Sequence, residues 1–131
     1  MARTVNEIKN PELFSLRPSD SAEEALSQLA ALDISGAPVI GDDRRPVGAI
    51  SFRDLIRRQG ATVAECMSGP AVTISAESSV QEAAGKLAER GLHRLVVVDD
   101  TGRAIGVVST LDVLRGMLNL GSTYAEVFST S

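Results

Sequence analysis

Two heptapeptides hold the residues best suited to chemistry. One is Gly48, Ala49, Ile50, Ser51, Phe52, Arg53, Asp54, and the other is Gly106, Val107, Val108, Ser109, Thr110, Leu111, Asp112. Each reads glycine, two apolar residues, serine, two residues, aspartate. A carboxylate at a cleft can accept both hydroxyls of a ribose, and glycine lets backbone or ligand approach closely. The same serine–aspartate spacing is also the capping box that opens a helix, so capping alone would account for Ser51 with Asp54 and Ser109 with Asp112. His93 and Arg94 precede the second heptapeptide. A surface-edge imidazole and a solvated charge are the simpler accounts of that pair.

Other chemistries find little material. His93 is the only histidine and Cys66 the only cysteine, so a disulfide within the chain is impossible and a Cys/His metal site nearly excluded. A small buried thiol is the simplest account of Cys66. No Walker-type phosphate loop and no assembled catalytic group is present, so no catalytic residue, no catalytic cofactor and no enzyme activity is expected. The net charge of −4 and 3% aromatic residues argue against nucleic acid as principal partner. No apolar run approaches the roughly 20 residues of a membrane span, and Met1 to Thr4 lacks a signal-peptide core. The chain reads as cytoplasmic, with no membrane partner.

The elements that must position these residues come in two copies. A shift of 58 residues aligns the chain with itself without a gap: Thr4, Val5 and Glu7 fall on Thr62, Val63 and Glu65, and Ser21, Glu24 and Ala25 on Ser79, Glu82 and Ala83. Val39, Gly48, Ser51 and Asp54 fall likewise on Val97, Gly106, Ser109 and Asp112. A fixed-period repeat of this kind signals duplicated architecture. The copies run over residues 4–58 and 62–118 and together form one compact module, followed by a tail over 119–131.

Each copy reads strand, helix, strand, strand, helix. In the first, Leu13 to Leu16 is a short apolar strand, and Ser21 with Glu24 caps a helix whose residues Ala22, Ala25, Leu26, Leu29 and Ala30 share one face. Ala37 to Ile40 and Pro46 to Ile50 follow as strands around a polar turn, and Phe52 to about Arg58 as a closing helix. The second copy gives Ala71 to Ile74, Val80 to Arg90, Leu95 to Val98, Ala104 to Val108 and Thr110 to Leu118. A three-stranded sheet with two short helices cannot bury both faces alone, so an α+β fold of tandem pseudo-twofold repeats is expected, with two related clefts.

The duplicated heptapeptides, in this context, make the chain resemble the CBS family, as a tandem pair (a Bateman module). The stretch from His93 to Asp99, with Gly106 to Asp112, is similar to a nucleotide-binding repeat in the gamma subunit of AMP-activated protein kinase. The resemblance implies a regulatory module that senses an adenosine nucleotide (AMP, ADP, ATP or S-adenosylmethionine) and acts on a separate, unknown protein. Asp112 would bind the ribose diol, Ser109 a ribose or phosphate oxygen, and His93 and Arg94 the phosphates. Ile34, Ser35 and the segment from Thr4 to Ile8 are candidates for the walls around the adenine, with core packing the simpler account of Ile34 and Ile8. A weaker second cleft would use Asp54, Ser51, Leu92, Thr62 and Cys66. It lacks a phosphate partner, because Ser35 and Gly36 stand where His93 and Arg94 do. The resemblance also implies a homodimer through the closing helices, with Leu55, Ile56, Val113, Leu114 and Met117 as candidates; internal packing would account for them equally. The alternative function is a ligand-free structural or protein-interaction module. Tyr124, Val127 and Phe128, at helical spacing in the tail, could dock on a partner.

Overall fold

A computed structural model describes residues 3–120, so Tyr124, Val127 and Phe128 lie outside the described residues. The chain divides into two compact units, one of Phe14–Ala71 and the other of Met1–Leu13 with Val72–Ser131. They are called the Asp54 unit and the Asp112 unit below.

In the Asp54 unit, helix α2 (Ala22–Leu32) starts where Ser21 Oγ accepts the amide of Glu24 at 3.2 Å. Strands β1 (Gly36–Ile40) and β2 (Pro46–Ser51) form an antiparallel hairpin, followed by α3 (Phe52–Arg58) and the single turn α4 (Val63–Cys66). Leu16, Ala25, Leu29, Val39, Ile50, Leu55, Val63 and Cys66 make its core. The expected strand from Leu13 to Leu16 shrinks to one parallel bridge, Leu16 to Val39. Leu16 donates to Pro38 O and accepts from the amide of Ile40, at 3.0 and 2.8 Å. Further pairing stops at prolines, which have no N–H to give.

The Asp112 unit shows what those prolines remove. Its first strand, β3 (Thr73–Ser75), runs parallel to β4 (Arg94–Val98), which pairs antiparallel with β5 (Ala104–Ser109). Val96 donates to Val72 O and Ala76 to Val98 O. The matching positions in the Asp54 unit are Pro38 and Pro18, so both flanking rungs are lost there. Helix α5 (Val80–Arg90) opens on the capping box of Ser79 and Glu82, and α6 (Thr110–Met117) on that of Ser109 and Asp112. Val5, Ile8, Val80, Ala83, Leu87, Leu95, Val97, Val108 and Val113 belong to the core.

Val5 and Ile8 reach that core from the amino-terminal strap, which carries the single turn α1 (Val5–Ile8). The amide of Val5 donates to Ser78 O, Val80 donates to Arg3 O, and Asn10 exchanges two bonds with Val107 at 2.8 and 3.0 Å. The strap thus opens the first repeat in sequence yet completes the unit built from the second. Its counterpart in the Asp54 unit is the segment bearing α4, where Val63 donates to Asp20 O and Ser68 exchanges bonds with Ala49.

Among the candidate dimer residues, Leu55 and Val113 are buried in their own units, which makes them core residues. Ile56, Leu114 and Met117 are exposed, together with Leu111 and Leu118.

Candidate functional site

Each aspartate of the heptapeptides sits at the third position of its closing helix and is fixed by the serine that caps it. Asp54 Oδ2 accepts the amide of Ser51 at 3.0 Å, and Ser51 Oγ accepts the amide of Asp54 at 3.0 Å. The second box is tighter by one bond. Asp112 Oδ2 accepts both the amide and the hydroxyl of Ser109, at 2.8 and 2.9 Å, while Ser109 Oγ accepts the Asp112 amide at 3.2 Å.

Capping and binding do not compete for the same atom. Asp112 is only 7% exposed, and every bond described for it runs to Oδ2. Among the described residues no buried side-chain oxygen or nitrogen lacks a partner, so Oδ1 meets solvent. The capping box therefore orients the carboxylate and leaves one acceptor oxygen for a ligand hydroxyl.

Arg94 is the first residue of β4 and stands directly across from Ser109. Opposed residues of an antiparallel pair project to the same face of the sheet, which puts the Arg94 side chain beside the Ser109–Asp112 box. Its guanidinium is exposed and makes no hydrogen bond or ion pair among the described residues. The preceding carbonyl, His93 O, accepts from the amide and hydroxyl of Thr110 at 3.0 and 3.2 Å. These bonds tie the start of β4 to the start of α6. The role of Thr110 went unread in the sequence, because a threonine that follows a capping serine carries no signal of its own.

Of the other candidates, the structure brings Thr4 and Ile8 into the same unit as Asp112, Ser109, His93 and Arg94. Thr4 stands at the N-cap position of α1 with no cap bond from its side chain, and it bridges to Ser79. Ile8 is a core residue, so the strap can present backbone there but not this side chain. Ile34 and Ser35 lie in the Asp54 unit, where Ile34 packs partly against the core and Ser35 O accepts the amide of Phe52 at 2.8 Å. Ser51, Asp54, Thr62 and Cys66 share that unit as well. Thr62 donates its amide and hydroxyl to Glu65 Oε1, each at 3.0 Å, and Cys66 is buried in the core as a free thiol. Leu92 falls in the Asp112 unit, packed against its core.

The glycines that open the heptapeptides serve the chain itself. A Cβ on Gly106 would lie 2.6 Å from Asn10 O, and one on Gly48 would lie 2.9 Å from Ser68 O. These approaches are the pairings of each segment with the sheet edge. Among the described residues no group of His, Cys, Asp and Glu is placed to hold a metal, and no helix is long and apolar enough to cross a membrane.

Two α+β units that share a helix–strand–strand–helix order and the same helix-opening box make the chain a tandem repeat. The chain belongs to the CBS-domain family, whose model matches residues 5–60 and 63–119. The crystal structure of CBSX2, a CBS-pair protein of Arabidopsis thaliana, in complex with AMP is similar over 88% of this chain and 96% of that one, with 29% identity and a TM-score of 0.79. An uncharacterised protein of Methanopyrus kandleri is 28% identical over 131 residues, which cover 94% of this chain and 67% of that protein. An inosine-5′-monophosphate dehydrogenase of Korarchaeum cryptofilum is 33% identical over 114 residues, 81% of this chain but only 24% of the dehydrogenase.

Proposed function

We propose that the chain is a regulatory module that senses an adenosine-containing nucleotide in the cytoplasm and passes the signal to a partner protein, with no chemistry of its own. The observation that carries this reading is a carboxylate pinned through one oxygen, free at the other, beside an unpartnered arginine on the same sheet face. The AMP complex of CBSX2 supports the same ligand class. Asp112 Oδ1 takes the ribose diol, Ser109 and the Thr4 strap line the site, and His93 and Arg94 meet the phosphates. Asp54 with Ser51 forms the weaker site.

Thermal unfolding with millimolar AMP, ADP, ATP, S-adenosylmethionine and NAD tests this, because a ligand bound only by the native state raises Tm. We expect a selective rise that disappears in Asp112→Ala. A Tm that no compound moves removes the sensor reading.

One observation favours a second role. Leu111 and Leu114, three residues apart on α6, and Leu118 at its C-cap are 63%, 51% and 61% exposed, and such an apolar patch is a contact surface in search of a partner. A second copy of the chain is the partner proposed. Sedimentation equilibrium should give a dimer that Leu114→Asp converts to monomer. A monomeric wild type removes this reading.

A further inference from the structure

We propose that the two aspartate sites differ in how they treat ligand charge: the Asp112 site prefers adenosine bearing a phosphate, and the Asp54 site, which lacks that cation, takes adenosine with or without one. This rests on the nucleotide reading above. Arg94 and Gly36 are the residues that set the difference.

The two positions are equivalent in the repeat and in the sheet. Arg94 pairs with Ser109 and Gly36 with Ser51, each opposite the serine that fixes its aspartate. At Arg94 the fold carries a full side chain with an uncommitted, always-charged guanidinium, suited to a bidentate phosphate contact. At Gly36 it carries none and has no room for one. A Cβ there would lie 2.7 Å from Ile50 O and 3.3 Å from Ser51 Cα. Both obstacles are backbone, so the hairpin itself would have to part before any side chain fitted. The missing cation is built into the course of the chain.

The neighbouring cations do not restore the balance. Arg57 and Arg115 each follow their aspartate by three residues, so that charge is common to both sites. Arg58 donates to Met67 O at 3.0 Å and holds the α4 segment. Arg53 and Arg58 have uncharged counterparts, Leu111 and Gly116; Arg58 is committed to Met67 O, so Arg53 forms one arm of the test.

Calorimetric titration with adenosine and with AMP reads each site separately, using Asp54→Ala to leave the Asp112 site and Asp112→Ala to leave the Asp54 site. Circular dichroism checks that each variant is folded, and Asp→Asn replaces Asp→Ala where it is not. In Asp54→Ala, AMP should bind at least about tenfold more tightly than adenosine, the scale of one charge-assisted contact. Adding Arg94→Ala, at an exposed position, should cut that preference to about threefold or less while adenosine affinity stays within about twofold. Asp112→Ala should bind both compounds with similar affinity. An AMP preference that survives Arg94→Ala overturns the inference, as does one in Asp112→Ala, whether or not Arg53→Ala abolishes it; the sensor reading then stands. If neither compound binds the wild type, both fall together.

Discussion

The Asp54 unit and the Asp112 unit share an order of elements, a register of helix starts and a capped aspartate, and they part company wherever backbone must meet backbone. Pro18 and Pro38 leave one rung where Ala76 and Val96 support a strand. Gly36 lets β1 crowd β2 where Arg94 keeps a side chain. Gly48 and Gly106 each admit a strap, the second more closely. Repetition of side-chain pattern is thus enough to repeat helices and hairpins, while backbone donors and clearances decide how far each sheet extends and what its edge can hold.

The largest effect that would break the comparison is expected at the straps. Gly106→Ala places a methyl against Asn10 O, a backbone atom, and overpacking of this kind costs about 1–3 kcal/mol. Gly48→Ala should cost less, because its contact with Ser68 O is longer and the Met67 side chain beside it can move. Urea denaturation of the two variants measures the order. Equal losses would mean that both straps are held alike.

A smaller effect sharpens the difference between the two boxes. Ser51→Ala and Ser109→Ala each remove a cap, at about 1 kcal/mol. Ser109→Ala should be the more costly, since it also removes the hydroxyl bond to Asp112 Oδ2. It should weaken AMP binding too, because the carboxylate loses part of its support. Denaturation midpoints and AMP titrations on the same samples check both outcomes.

The smallest effect concerns the hairpin turns. The pKa of Asp99 lies below the ordinary aspartate value of 3.8, chiefly because the Thr101 hydroxyl donates to it and next because the Arg103 amide does; burial opposes them, and the Thr101 amide and the Arg103 charge add lesser contributions. Its position in the Asp54 unit is Gly41, which has no carboxylate to offer. A carboxylate whose pKa falls on folding adds stability above its unfolded value and loses it as pH drops through the folded one. The Tm gap between wild type and Asp99→Asn should therefore be small and constant near neutral pH, then close below about pH 3.8. A gap that is unchanged at pH 2 would show that the turn gains nothing from the charge.

Much of this is legible in the residues themselves. Ser21, Ser51, Ser79 and Ser109, each three before an acidic residue, mark the four longer helix starts, because a cap is local and needs only its own few neighbours. The hairpins follow from alternating apolar strands around polar turns. The fate of the strap could not be read the same way. Its pairing with Val107 joins residues almost a hundred positions apart, and nothing in the local pattern of Thr4 to Asn10 points there. The clearance at Gly36 is equally hidden, since a glycine facing a serine looks like an ordinary strand end until the distance to Ile50 O is known.

The strap has one more implication, for ancestry. Each repeat opens with a segment that completes the unit built from the other repeat, so the boundary of the repeated text does not match the boundary of the folded object. A chain half this long, ending near Gln59, would begin with a strap that can follow its present path only into a second molecule. Such a half-length forebear would have been whole as a strap-exchanging pair, and joining two copies end to end would have made permanent a partnership that already existed.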